Sequence, residues 1–513
     1  MQRPRADLRP ASARRAPRAP YQRPLERDAA LIAPDTFRLL TVERRCATAA
    51  DWQPQGMTHL WRYHLHYFDD LNATHAEARA AWHRQLLERW VAENPPGQGD
   101  GWDPYPLSRR LVNWVKWTAR GNALPAACHA SLTVQARWLA GCLEYHLLGN
   151  HLLANAKALV HAGLYFEGPE AEQWYRRGLR ILARQLDEQL LADGGHFELS
   201  VMYHALVLED LLDLINLLRA HRREVPADWY GHVMRMRRWL LVMSHPDGEI
   251  AFFNDCAFGI AGNASELEAY AGRLALGPPA ACDAPLILLE ASGYVRARSG
   301  AAQLISDCAE VGPAYLPAHA HADTLSFELS LAGRRVFVNS GVSEYGTGPE
   351  RRRQRGTAAH NTVVVDGQDS SEVWGGFRVA RRAHAHLSMA TFDTTATVEG
   401  RHDGYARLPG HNTHTRRWVL GANFLRVEDR VSGRYCGAEA RYHLHPEISA
   451  RVDAGYVSLA SDGNEIARLA FRGAAVVSVQ PASWHPQFGV SLASTVISAR
   501  FAQGALAAEL SWS

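Results

Sequence analysis

The chain has 513 residues, 47% of them hydrophobic and 21% charged, the composition of a globular protein long enough for two or three domains. That excludes wholesale disorder, a collagen-like or coiled-coil rod and an array of short repeats, and no run of about 18 apolar residues offers a membrane-spanning helix. With 55 basic residues against 53 acidic ones, a net charge of +2, the chain lacks the imbalance of a dedicated nucleic-acid binder.

Residues 1–35, rich in Arg and Pro, are expected to be a disordered tail. They contain no apolar segment of the kind a secretion signal carries, so a cytoplasmic location is expected, or a periplasmic one if the start codon is misplaced. The basic residues throughout are arginine except Lys116 and Lys157. A GC-rich genome accounts for such a bias, and arginine also suits an acidic ligand because it grips carboxylates with two parallel hydrogen bonds. Seven cysteines without any CxxC pair argue for reduced thiols rather than a disulfide framework or a cysteine-based zinc site.

From about residue 75 to 245 the apolar spacing is helical, as in Leu208, Leu211, Leu212, Ile215 and Leu218. Several of these segments are apolar nearly all round, so each should pack against helices on more than one side. After about residue 285 the period becomes two. Leu325, Phe327, Leu329 and Leu331 alternate with Ser326, Glu328 and Ser330. Hairpins are predicted at Arg417–Val427 around Gly421-Ala422-Asn423 and at Tyr456–Phe471 around a four-residue turn, Ser461–Asn464. The reading is a helical domain over 36–284 followed by an antiparallel β-sandwich over 285–513, divided in the Pro- and Ala-rich Gly277–Ala284 stretch.

Four clusters concentrate chemistry. Gly149-Asn150-His151 opens an apolar helix, where Asn150 could also be a plain N-cap. Asp193–His204 runs from a glycine turn into a helix that Ser200 could cap, with Glu198, Tyr203 and His204 inside seven residues; Tyr203 and His204 are also readable as half-buried core groups. His319-Ala320-His321-Ala322-Asp323 would place 319, 321 and 323 on one face if it continued into the Leu325 strand, the arrangement of a metal-binding His-x-His pair. His360, before the Val363–Val365 strand, and Asn339, after Val338, are further candidate ligands. Glu350–Arg355 carries four arginines, which reads as a solvated loop or as a contact for a polyanion.

Taken together, GNHLLANAKALVHAGLYF (149–166), DGGHFELSVMYHALVLEDLLDL (193–214), AHAHADTLSFEL (318–329), NSGVSEYGTG (339–348), AAHNTVVVDG (358–367) and SEVWGGFRVARR (371–382) resemble the heparinase II/III-like polysaccharide lyases. WRYHLHYFDDL (61–71) resembles the family's N-terminal segment, so the likeness covers roughly 55–430. It implies an α/α toroid followed by an antiparallel β-sandwich, and cleavage of a uronic-acid polysaccharide by β-elimination. By the same resemblance Asn150, helped by His151, would neutralise the uronate carboxylate. Tyr203 would act as the acid and also as a base, with His319 as partner base for the opposite C5 configuration. Glu198, His204, Arg351, Arg352 and Arg355 are read as substrate contacts. His321 and His360 match two ligands of a family metal, often zinc, whose third ligand is usually aspartate where this chain has Asn339, an oxygen donor without charge. No organic cofactor is implied, and the partner is an anionic polysaccharide rather than nucleic acid.

Two other readings compete. A glycoside hydrolase on the same toroid would need two carboxylates across a cleft, for which Glu198 and Glu209 are the nearest candidates on one helix. A non-catalytic polysaccharide-binding protein of an exopolysaccharide assembly system would need none of the acid–base groups.

Overall fold

The computed structural model describes residues 4–502 and 504–512, and the chain divides into two compact units. The first runs to Gln189 and adds Leu206–Val233 and Ser265–Pro278; the second comprises Leu190–Ala205, Met234–Ala264 and everything from Pro279. The single cut expected at 277–284 is therefore too simple. Two stretches of the helical region group with the sheets, and they are the stretches that carry Glu198, Tyr203 and Asp255.

In the first unit, the helices His59–Leu65, Ala80–Glu93, Pro104–Ala119, Ala126–Gly141, Gly149–Tyr165 and Pro169–Gln189 follow a small meander of Leu31–Ala33, Thr36–Leu39 and Val42–Arg45. Strands of three or four residues are too short to show a period, and the sequence reading missed them. The helix Gly149–Tyr165 is buried at every position except His151, as its uninterrupted apolar run anticipates. It packs against Pro169–Gln189 backbone to backbone. A Cβ on Gly163 would lie 2.5 Å from Tyr175 N, and one on Gly178 would lie 2.8 Å from Ala156 O, so only glycine permits this approach.

The expected disordered tail is corrected from residue 4 onward; residues 1–3 lie outside the described residues. The backbone N–H of Arg15 donates to Tyr165 O at 2.7 Å, and those of Arg18 and Ala19 donate to Ala220 O at 2.7 and 2.9 Å. The Arg14 guanidinium donates to Thr118 O at 2.9 Å. Each acceptor lies at the C-terminal end of a helix, where carbonyls lack intrahelical partners and the dipole favours cations. An Arg-rich extended segment supplies both the donors and the charge.

Both lysines converge on one carboxylate. Lys116 Nζ and Lys157 Nζ donate to Asp213 Oδ2 at 2.8 and 2.7 Å, and Tyr270 Oη donates to Oδ1 at 2.9 Å. Asp213 is wholly buried; burial works against its charge, but the two ammonium groups hold its carboxyl well below the usual range.

The second unit holds three main antiparallel sheets. One has five strands in chain order, Leu286–Leu289, Tyr294–Ser299, Ala302–Asp307, Phe327–Leu331 and Arg334–Phe337. A second has eight, in the order Ala385–Phe392, Ala396–His402, His414–Leu420, Phe424–Val431, Ala505–Ser511, Asn464–Arg472, Tyr456–Ser461 and Ile448–Asp453. The third pairs Val476–Trp484, Leu492–Phe501, Ala438–His443 and Val363–Val365. Phe327, Leu329, Trp418, Leu420, Tyr442 and Ile497, drawn from all three, share one buried core.

Two details differ from the sequence reading. Ser461 pairs with Asn464, so the turn is the two residues Asp462-Gly463, both at positive φ (52° and 80°), the conformation that favours Asp-Gly in tight hairpins. The strand Phe327–Leu331 is buried on both faces. Its polar face is covered because Glu328 accepts from His245 Nε2 at 2.8 Å and from Asn339 N at 2.7 Å.

Asp213→Ala would leave the buried Lys116 ammonium without its anion, while Lys157 would keep Asp210 at 2.7 Å. Uncompensated burial of that kind costs about 3–5 kcal/mol, to be read as a lower urea midpoint in the helical far-ultraviolet signal. A loss under about 1 kcal/mol would contradict this account of the node.

Candidate active site

The first group of site residues lies in the helical unit. Leu148 takes positive φ (57°) just before the helix, and Asn150 is the second residue inside it, so Asn150 is not the N-cap. Its side chain is 9% exposed, and among the described residues its carboxamide has no hydrogen-bond partner. A buried amide in that state is costly unless something else meets it. His151 Nδ1 lies 3.1 Å from Glu144 Oε1, and its ring packs at 4.5 Å on Tyr105. Asn155 fixes this corner: its Nδ2 donates to Glu144 Oε2 at 2.9 Å while its Oδ1 accepts from Glu144 N at 2.8 Å.

The second group is built around Asp255, which the sequence reading did not single out. Its carboxylate is fully buried. Oδ2 accepts from His319 Nδ1 at 2.8 Å, Oδ1 accepts from His321 Nε2 at 2.8 Å, and the Arg351 guanidinium grips both oxygens, at 2.7 Å to Oδ2. Burial opposes the charge, yet Arg351 and the two histidine bonds outweigh it and hold the carboxyl well below the usual range. A carboxylate that only accepts requires a proton on each facing nitrogen, which fixes both tautomers. In neutral His319 the lone pair is then on Nε2, and in neutral His321 it is on Nδ1.

Tyr203 packs against His319, ring centroids 3.9 Å apart and planes tilted by 31°. Glu198 Oε2 lies 3.9 Å from His319 Nε2, beyond hydrogen-bond range. The placing of Tyr203 is local: Ser200, immediately before the helix Val201–Ala220, accepts from Tyr203 N at 3.2 Å and donates to Asp255 O at 2.6 Å. Its hydroxyl therefore caps the helix and ties it to the Asp255 strand of chain. Tyr203 Oη is also 3.0 Å from Tyr345 Oη. Burial, followed by the nearby Asp255 charge, raises the Tyr345 phenol well above its ordinary value, so Tyr345 keeps its proton to donate. Tyr345 lies within a segment quoted above but was given no role there.

The HAHAD segment is not the start of a strand. The strand begins at Phe327, and Leu325 stands at positive φ (60°). His319 and His321 converge because a loop is pinned to Asn254-Asp255: Asp255 N donates to His319 O at 3.0 Å, and His321 N donates to Asn254 Oδ1 at 3.0 Å. Asn254 and Asp255 carried no periodic or motif signal.

His321, Asp323 and His360 form a buried group whose ligand atoms all lie within 4.8 Å of one another, with His321 Nδ1 at 3.3 Å from His360 Nε2. Burial lowers His321 to about 4, against the pull of Asp255, and lowers His360 to about 3; both are neutral at pH 7, as metal ligands must be. Burial raises the Asp323 carboxyl. Two imidazoles and a carboxylate that accepts from Asn254 N at 3.0 Å, with Asp255 behind one imidazole, are a donor set that fits a divalent ion such as zinc. Asn339, the expected third ligand, spends its amide elsewhere: Oδ1 accepts from Asn361 N at 3.2 Å and Nδ2 donates toward Ser326 Oγ at 3.4 Å.

Three expected substrate contacts are corrected. His204 is fully buried on Trp239, its Nε2 3.0 Å from Met236 O and its Nδ1 accepting from His196 N at 3.2 Å. Arg351 is spent on Asp255, and buried Arg355 donates to Ala320 O at 2.9 Å. These two face inward because Glu350–Arg355 belongs to a helix, Pro349–Arg355, rather than a loop; Arg352, on its other side, is exposed.

Residues 50–266 match the family described as Heparinase II/III N-terminus, and residues 282–513 match Heparinase II/III-like, C-terminal. The chain belongs to the heparinase II/III-like family of polysaccharide lyases. It is 29% identical over 437 residues to FtsZ-localized protein C of Caulobacter vibrioides, covering 78% of this chain and 71% of that one. It is 28% identical over 247 residues to a heparin-sulfate lyase of Bacteroides stercoris, covering 44% of this chain and 37% of that one. Among solved structures, one of heparinase III aligns with a TM-score of 0.73 at 19% identity, covering 90% of this chain and 79% of that one. A heparan sulfate lyase of Pedobacter heparinus aligns at 0.60 and 19%, covering 93% and 81%. The fold is thus the lyase family's α/α toroid followed by an antiparallel β-sandwich.

Proposed function

We propose that this lyase cleaves a uronic-acid polysaccharide by β-elimination, with Tyr203 and His319 as the proton-transfer pair. The observation that carries the reading is the close Tyr203–His319 ring contact, with the lone pair of neutral His319 placed on Nε2 by the Asp255 bond. The unpartnered Asn150 amide, backed by His151, meets the substrate carboxylate and withdraws its charge, which acidifies the C5 proton. His319 Nε2 or the Tyr203 oxygen takes that proton. The C5–H electron pair becomes the C4–C5 double bond, the C4–O bond breaks, and Tyr203 protonates the departing oxygen. Tyr345 donates to the Tyr203 oxygen and steadies it once its proton has left. Arg351 and Asp255 touch no substrate; they hold His319. A divalent ion held by His321, Asp323 and His360 would supply positive charge that offsets the buried Asp323 carboxylate.

The hydrolase reading loses its second carboxylate, because Glu209 is ion-paired to Arg27 at 2.6 Å. A different second reading rests on the Caulobacter relative, whose name ties that protein to FtsZ. On it, this chain would localise with FtsZ as a non-catalytic polysaccharide binder.

Incubated with a panel of uronate polymers, the enzyme is expected to generate unsaturated ends that absorb in the ultraviolet, and Tyr203→Phe is expected to lower kcat by about 10²–10⁴-fold with KM nearly kept. Saturated reducing ends, or a Tyr203→Phe enzyme keeping more than about a tenth of kcat, would contradict the mechanism.

Elemental analysis of protein purified without chelator is expected to find zinc or another divalent ion near one equivalent, lost in His360→Ala. No ion, with full activity in chelator, would leave His321 and His360 as hydrogen-bonding groups only.

A further inference from the structure

A groove of about 590 Å³ lies on the helical unit, bordered by Tyr145, Leu148, Arg176, Arg177, Arg180 and Arg184. Among the described residues no carboxylate lines it. Its arginines all come from the helix Pro169–Gln189. Arg176, Arg180 and Arg184 stand four residues apart, one above the next along a single stripe, so like charges recur about every 6 Å and repel one another. Arg176 is ion-paired to Glu172 at 3.1 Å, and Asp187 and Glu188 stand three and four residues beyond Arg184 on the same helix. Arg177 donates to Ala140 O at 2.7 Å. Arg180 and Arg184 are exposed and have no ion-pair partner among the described residues. A stripe of this kind weakens the helix that carries it unless an anion lies along it.

The rest of the groove suits a sugar chain. Tyr145 is 51% exposed at the lip, a flat apolar face with a polar tip. Leu148 directly precedes Gly149-Asn150, so one wall of the groove continues into the segment that bears the Asn150 amide. We propose that this groove is a second binding site for the anionic polysaccharide, which holds carboxylate or sulfate groups of the polymer remote from the bond that is cleaved. This rests on the uronate-polymer reading above and deepens it: the preferred substrate is a long, highly charged chain, gripped by Arg180 and Arg184, and short oligosaccharides forgo the contact.

The test compares the full-length wild-type enzyme with Arg180→Ala/Arg184→Ala, using fluorescently labelled heparin for binding and a heparin-derived tetrasaccharide for turnover. Because both side chains are exposed and their mutual repulsion is relieved, the melting temperature is expected to stay the same or rise slightly. The Kd for heparin is expected to rise at least about tenfold, with a shallower dependence on salt because fewer counterions are released, while tetrasaccharide kcat is unchanged. An unaltered heparin Kd would overturn the proposal. So would tighter binding of a single-stranded oligonucleotide than of heparin at equal salt, lost in the double variant, which would reassign the groove to nucleic acid. If the wild type binds heparin through these arginines but cleaves no uronate polymer, the groove stands and the elimination reading fails.

Discussion

A single buried carboxylate organises the candidate site in the second unit of this lyase. Asp255 accepts from His319 and His321 and is gripped by Arg351, with no exposure to solvent. An isolated carboxylate could not remain ionised there, so the cation and the two imidazoles are conditions of its existence. In return it fixes where each imidazole carries its proton. The backbone on either side does the rest, since Asn254 holds the His321 segment and the Asp255 carbonyl takes the Ser200 hydroxyl that caps the Tyr203 helix. Tautomer, ring position and helix start are thus set by two adjacent residues.

The helical unit uses the same device for a different end. Asp213 gathers both lysines of the chain and a tyrosine hydroxyl, a structural junction between helices rather than a reactive one. What separates the two nodes is what hangs from them. Asp213 is met by two ammonium groups and a tyrosine hydroxyl that all donate to it, whereas the Asp255 bond turns the other ring nitrogen of His319 away from the carboxylate, with a tyrosine packed on the ring. The N-terminal arginines follow the same economy, satisfying helix C-terminal carbonyls that would otherwise lack partners.

The large elements were legible because their periods are long. The Gly149–Tyr165 helix and the hairpins at 414–431 and 456–472 follow from apolar spacing and turn residues alone. The site was half legible. Asn150, Tyr203, His319, His321 and His360 stand in motifs dense enough to notice. Asp255 stands alone in Phe-Phe-Asn-Asp-Cys, and its role comes from contacts made 64 and 96 residues away, which no local pattern encodes. The arginine run misled for a related reason: composition showed four charges, but only the helical phase reveals that Arg351 and Arg355 face inward. The HAHAD segment shows that convergence of two histidines does not require a strand, because a shared acceptor aligns them as well.

If Asp255 acts through His319 rather than beside it, the two residues are coupled in turnover. A double-mutant cycle on kcat, comparing Asp255→Asn, His319→Ala and the pair on a uronate polymer, measures this directly, because coupled residues are strongly non-additive. Once His319 is gone, Asp255→Asn is expected to cost little more, so the double variant turns over about as fast as His319→Ala. Losses that multiply, as for two independent sites, would contradict it.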